Sequence, residues 1–262
     1  MSIISKIYHD EVELRYLIYP EGYTCNVNQA DYTAFEAKKI YLLRVSEFNN
    51  SAIAIYDLHH KAYLGLHTNF YKSSESIFYA EVNNRKEPLW FLPFLKRKDR
   101  FFVYDSMLSA FDYLNLQQCS KRMDYKLILD LVLAHPNGSY CRMILKMMPV
   151  ELDKDGKLWL MLGNVNVTLL KKADDRPPQH QLMNINTRKM VFFEHSVNCQ
   201  PLSTCEIAVI RLVSQGFSSD QIGEYLHSSK FTINNHRQNI LQKTFCENMT
   251  QAVLYARQIG VV

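Results

Sequence analysis

The stretch from Phe217 to Lys243, FSSDQIGEYLHSSKFTINNHRQNILQK, decides how the rest of the chain is read. It holds two helical patterns separated by a short connection. In the first, Ile222, Tyr225 and Leu226 recur at i, i+3 and i+4 while Asp220, Gln221 and Glu224 lie opposite. That spacing predicts one apolar stripe on a core. Ser218 or Ser219 can cap its start. His227 and Ser228 make the connection, and Ser229 or Lys230 opens a second helix. Its buried stripe is expected at Phe231 or Thr232, then Ile233, His236, Ile240 and Leu241, so the two helices share one small core. No acidic residue occurs from Lys230 to Lys243, whereas Lys230, Arg237 and Lys243 are cationic and Asn234, Asn235, Gln238, Asn239 and Gln242 carry amides. An acid-free face of amides and cations suits base edges and phosphates together.

On the N-terminal side, Leu202-Ser203-Thr204 marks another helix start. Ile207, Val209 or Ile210, and Val213 supply its stripe, and Gly216 is a natural C-cap. Glu206 either pairs within the domain, with Arg237 as a partner, or is only a favourable charge in the first turn. Met249 to Ile259 reads as a last helix. Its Ala252, Val253, Ala256 and Ile259 can pack on a second copy or within the same chain.

These residues resemble the LuxR-type helix-turn-helix, the effector domain of many response regulators. The resemblance covers roughly the last 60 residues. It rests on Leu202-Ser203 with Glu206, Val209, Gly216, Ser218, Ile222, Leu226, Ser229, Thr232-Ile233, His236, Asn239-Ile240, Lys243, Ala252-Val253, Ala256 and Gly260. The chain departs from the family pattern at Asn234, where lysine is usual, at Ser228, usually aliphatic, and at Met249, usually arginine. Losing that lysine removes one phosphate or guanine contact, so a typical member's site preference does not transfer.

With 262 residues, 47% hydrophobic and 21% charged, the chain is globular and has room for two ordinary domains or one large one. Net charge is +4, and from Gln200 onward five Lys/Arg stand against four Asp/Glu, so the nucleic-acid signal is local to one helix. No run approaches the roughly 18 apolar residues of a membrane span. The start MSIISKIYHDEVELR places acids where a secretory signal needs an apolar core. A cytoplasmic location without membrane contact is therefore expected. The cysteines Cys25, Cys119, Cys141, Cys199, Cys205 and Cys246 show no metal spacing and read as reduced thiols.

The N-terminal half begins ambiguously. Ile3 to Tyr19 fits helix or strand, and Pro20-Glu21-Gly22 break the pattern. Ala30 to Phe48 reads as a helix lined by Tyr32, Phe35, Leu42 and Val45, serving either dimer contact or packing on its own domain. From Ser51 the period becomes two, and SAIAIYDL and AYLGLHT flank His59-His60-Lys61 as a hairpin. Asn69 to Asn84 is too irregular to place. Pro88 and Pro93 interrupt PLWFLPFLKRKDRFF, whose Trp90, Phe91, Phe94 and Leu95 read as core. The cluster Lys96-Arg97-Lys98 with Arg100 is either a solvated loop or a nucleic-acid patch. Phe101 to Gln118 predicts a helix facing inward with Met107, Leu108, Phe111 and Leu114. In YKLILDLVLA, Tyr125, Leu127, Leu129, Leu131 and Leu133 share a face. His135-Pro136-Asn137-Gly138 and Asp153-Lys154-Asp155-Gly156 are turns that complete a three-strand antiparallel meander.

Two early strands, short middle helices and three long strands form the element order of a PAS domain. The resemblance is carried by NSAIAIYDLHHKAYLGLHTNFY, HPNGSY and PVELDKDGKLWLMLGNVNVT, and spans about Phe48 to Leu170. KKADDRPPQHQ reads as an interdomain linker, with a short hairpin around Asn186-Thr187-Arg188 before the last domain. The expected fold class is α+β: a PAS-like antiparallel sheet domain with flanking helices, then an all-α four-helix LuxR-type helix-turn-helix domain. The expected segments are an extension with a helix over 1–47, the PAS-like domain over 48–170, a linker over 171–198 and the helix-turn-helix domain over 199–262.

Other chemistry finds little support. The antiparallel meander speaks against a phosphoacceptor receiver domain. GxxxxGK[ST], GxGxxG and HExxH are absent from the sequence. Asp153 and Asp155 lack the further acids of a calcium loop. His59, His60, His67, His135, His180 and His195 read as surface or hydrogen-bonded histidines before haem ligands. No reactive-cysteine motif of flavin light sensors surrounds Cys119 or Cys141. No enzyme is expected, and no cofactor or metal. What the two resemblances imply is a dimeric regulator bound to double-stranded DNA, with room for a small-molecule ligand in the PAS-like domain and RNA polymerase as a further partner. Ser218, Lys230, Thr232, Arg237 and Lys243 would hold phosphates or position the helix, and Asn234, Asn235 and Gln238 would meet base edges. The alternative is a ligand-binding or protein-interaction module whose helical domain docks a protein.

Overall fold

The computed structural model describes residues 22–48, 52–67, 91–134, 138–170, 176–191 and 202–262. The expectations for 3–19, 69–84, Pro88, Trp90, the turn at His135-Pro136-Asn137, His195 and Cys199 lie outside those residues. The chain divides into two compact units, Met1–Ser196 and Val197–Val262.

In the first unit, helix α1 (Gln29–Phe48) starts where Asn28 Oδ1 accepts the Ala30 and Asp31 N–H groups at 3.0 and 3.3 Å. The reciprocal bond runs from the Asn28 N–H to the Asp31 carboxylate at 2.7 Å. This satisfies orphan donors of the first turn. Strands β1 (Ala52–Asp57) and β2 (Ala62–His67) form the expected hairpin, turning through Lys61 at φ 55°. A 3-10 turn at Leu92–Phe94 leads into α2 (Arg97–Leu116), then α3 (Cys119–Arg122). The meander is β3 (Tyr125–Ala134), β4 (Tyr140–Leu152) and β5 (Leu158–Leu170), followed by β6 (Gln179–Asn184) and β7 (Met190–Val191).

These strands form one antiparallel sheet in the order β2-β1-β5-β4-β3-β6-β7. β1 returns to lie beside β5, pairing Ala52 with Val165 through Asp57 with Leu160. The alternation read in β3 is realised: Leu127, Leu129, Leu131 and Leu133 share a core with Cys141, Met143 and Leu145 of β4 and with Val103, Tyr104, Met107 and Ala110 of α2. Phe91, Phe94 and Leu95 close that core, as expected. α1 covers a second cluster through Phe35, against Ile55, Trp159 and Leu160.

Four local expectations are corrected. The helix read from Phe101 begins at Arg97, so the basic cluster lies on the first turn of a helix and not in a loop, with Lys96, Arg97 and Lys98 exposed. Arg100 donates to the Leu95 and Pro93 carbonyls and ties the first turn to the preceding bend. Leu108 and Val45, expected inward, are each 37% exposed, because each apolar stripe is narrower than its run of apolar residues. Part of the stretch read as linker is strand β6, paired with β3 from Asp130–Gln179 to Tyr125–Asn184. The signal there is only six residues long and does not alternate: Gln179, His180, Leu182 and Met183 are all buried, and two of the four are polar. The hairpin around Asn186-Thr187-Arg188 is present: Asn184 Oδ1 accepts from the Asn186 and Thr187 N–H groups.

The second unit holds α4 (Thr204–Ser214), α5 (Ser219–Tyr225), α6 (Lys230–Thr244) and α7 (Met249–Ile259). Each start is capped by the side chain before it. Ser203 and Ser218 form full capping boxes with Glu206 and Gln221, while Ser229 and Asn248 accept from the Thr232 and Gln251 N–H groups. α4 closes on Gly216 at φ 92°, where its missing Cβ allows the left-handed turn. Val209, Ile210, Ile222, Ile233, Ile240, Ala252, Ala256 and Ile259 are at most 1% exposed and form the shared core.

Candidate nucleic-acid interface

Helix α6 is held by two kinds of contact, and what they leave outward is the candidate interface. Its buried side is Ile233, Ile240 and Thr244. Asn234, Asn235, Gln238, Asn239 and Gln242 are exposed. Phe231 and Tyr225, read as inward, are 74% and 66% exposed, and Thr232 is exposed too. Ile222 and Ile233 are the buried apolar positions where α5 meets α6, Leu226 is half-buried, and Tyr225 and Phe231 turn outward.

The turn joining α5 to α6 is tight. His227 sits at φ 52°, the Ser228 N–H donates to the Gly223 carbonyl at 2.8 Å, and a Cβ on Gly223 would lie 2.6 Å from the Ser228 carbonyl oxygen. No other residue fits Gly223 without moving the backbone that sets the angle of α6.

The expected phosphate-binding residues separate into two groups. Lys230 pairs with Asp220 at 2.8 Å, both side chains 60% exposed, so water competes for the contact and the ammonium can exchange partners. The Thr232 hydroxyl shares a hydrogen bond with the Ser229 hydroxyl at 2.8 Å, and Ser218 is occupied as a cap but exposed. Arg237 is half-buried and donates to the Ser219 hydroxyl at 2.9 Å, bracing α6 against the start of α5.

Lys243 differs from all of these. Its ammonium lies 2.8 Å from Glu206, whose side chain is only 3% exposed against 23% for the lysine. Glu206 therefore has a partner within the domain, but it is Lys243 and not Arg237. Burial would raise the Glu206 carboxyl. The Lys243 ammonium and the donors of Ser203 outweigh it and hold the carboxyl below its ordinary value. The two residues are 37 positions apart, and nothing in local spacing favours this lysine over the arginine six residues earlier.

Residues 200–256 match the family model described as bacterial regulatory proteins, luxR family. The C-terminal unit is a LuxR-type helix-turn-helix domain. Over 61 residues it is 41% identical to the transcriptional regulatory protein DegU of Brevibacillus brevis, a match covering 23% of this chain and 26% of that one. The chain thus spans about a quarter of that curated relative. Among solved structures, the response regulator ChrA of a heme-sensing two-component system is 33% identical over 24% of this chain and 31% of its own, with a TM-score of 0.24. A phage VqmA in complex with DPO overlaps 87% of this chain and 92% of its own at 14% identity and a TM-score of 0.31. VqmA of Vibrio cholerae overlaps 84% and 88% at 13% identity and a TM-score of 0.27. Overlaps of this quality carry no weight about the N-terminal unit.

Among the described residues no helix is long and apolar enough to cross a membrane, and no group of His, Cys, Asp and Glu is placed to hold a metal ion.

Proposed function

We propose that this chain is a sequence-specific DNA-binding transcriptional regulator, acting as a homodimer in the cytoplasm under the control of a PAS-like N-terminal unit. The observation that carries the reading is the outward face of α6: acid-free, amide-rich, and presented by a capped helix whose angle is set by the Gly223 turn. In this scheme Asn234, Asn235 and Gln238 meet base edges, while Lys230, Thr232, Arg237 and Ser218 meet phosphates and fix the register. Lys243 serves from within the domain, holding α6 on α4 through Glu206.

The dimer is expected to join through α7. Ala252, Ala256 and Ile259 are buried within the domain, which leaves Leu254, 55% exposed, with half-buried Val253 as the surface for a second copy. Two-fold symmetry then sets two recognition helices about 34–36 Å apart, one turn of the duplex. Support for the PAS-like assignment is the early hairpin folded back beside β5, so that the expected element order closes as one antiparallel sheet. A small-molecule ligand there and RNA polymerase at the promoter are the partners this reading implies.

Selection from random duplexes with the full-length chain tests it. The expected product is a palindrome with half-sites about 10 base pairs apart, and replacing Asn234 by Ala should cost about 1–3 kcal/mol at one position of each half-site. No enriched sequence at low salt, with the dimer intact, would defeat the proposal. A second reading, docking of a protein partner, is favoured by the pairing of both Lys230 and Lys243 with carboxylates and by the outward aromatics Phe231 and Tyr225.

A further inference from the structure

The same face of α6 carries a phenyl ring. Phe231 is the second residue of the helix and is 74% exposed. Leaving so large an aromatic in water forgoes one of the largest burial contributions a side chain can make. Phe231, Asn234, Asn235 and Gln238 stand at i, i+3, i+4 and i+7, a single face of a helix. All four are exposed, and Ile233 and Ile240 carry the core contacts from the other side at 1% and 0% exposure. The cations of α6 are not among these four: Lys230 precedes them, Arg237 braces Ser219, and Lys243 braces Glu206.

The chemistry of that face is selective. Guanine is read in the major groove mainly by arginine or lysine, adenine by the paired donor and acceptor of asparagine or glutamine. A phenyl ring offers no hydrogen bond, and the one apolar group on a major-groove base edge is the thymine 5-methyl. Residues near the start of a recognition helix are those that reach base edges. Resting on the DNA-binding reading above, we infer that each half-site is read as A·T steps, with Phe231 against a thymine methyl beside adenines met by the neighbouring amides.

The test uses the full-length chain and its selected duplex, with each thymine of a half-site replaced in turn by deoxyuridine, which keeps the base pair and removes only the methyl. The parent should lose roughly fourfold in affinity at one thymine per half-site, the cost of exposing about one methyl-sized group. Phe231→Ala should bind the thymine and uracil duplexes alike, at the weaker level, and Phe231→Leu should recover part of the difference. Since Phe231 is exposed, both variants should keep the parent's far-ultraviolet circular dichroism. Equal binding of thymine and uracil duplexes by the parent, or a selected site of G·C pairs where α6 lies, overturns the inference while leaving DNA binding intact. A Phe231→Ala chain that keeps the discrimination yet loses a protein partner also overturns it. Failure to select any sequence defeats the DNA-binding reading itself, a result distinct from the others.

Discussion

Removing the Lys243 side chain separates folding from DNA contact at that residue. In Lys243→Met the aliphatic stem is kept and the ammonium is lost, leaving the Glu206 carboxylate at 3% exposure with the bond it accepts from the Ser203 N–H at 2.6 Å. Breaking a buried pair by removing one partner costs roughly 3–5 kcal/mol. Because the lysine is 23% exposed and Ser203 still donates to the carboxylate, a cost at or just below the bottom of that range, about 2–3 kcal/mol, is expected. For a domain of this size that lowers the melting temperature by roughly 10–20 °C. Thermal unfolding and hydrogen exchange of the α4 and α6 amides in the full-length chain measure it.

The pH dependence follows from the same pair. The folded Glu206 carboxyl lies below its unfolded value. Its contribution is therefore complete above the unfolded carboxylate value and is lost as pH falls through the folded one. The variant should lack that acid-side loss. Adding Glu206→Gln to Lys243→Met should recover a good part of the stability, since no unpaired charge stays buried. Refutation would be a variant as stable as the parent, with unchanged exchange, whose DNA affinity loses about one unit of salt slope. That would make Lys243 a phosphate contact.

Gly223→Ala should lower the stability of the C-terminal unit by about 2–3 kcal/mol and weaken DNA binding on every sequence, because its Cβ would lie 2.6 Å from the Ser228 carbonyl oxygen; an unchanged melting temperature would show that the turn yields. His180, 2% exposed, stacked on Phe102 and hydrogen-bonded with Ser106, has its imidazole pushed down by burial to about 4. Keeping it neutral is costless above the unfolded value of 6.5 and destabilises increasingly as pH falls toward 4, by up to about 3 kcal/mol. Denaturant titrations from pH 7 to about pH 4 should therefore show a loss of N-terminal stability that His180→Gln reduces; parallel curves would refute it.

Much of this molecule was legible in runs of a few residues. Caps act over three or four positions, so Ser203 with Glu206, Ser218 with Gln221, and Ser229 mark their helices without reference to anything distant. Alternation in Tyr125–Ala134 likewise declares one face of a strand, and the acid-free composition of Lys230–Lys243 declares a candidate surface. Periodicity states that an apolar stripe exists, not which neighbour covers it or how wide that neighbour is. Only tertiary packing left Tyr225 and Phe231 outward, joined β6 to β3, brought His180 to Ser106 across 74 residues, and gave Glu206 to Lys243 instead of Arg237. Such pairings depend on which distant surfaces close on one another, and residues a few positions apart carry no record of that.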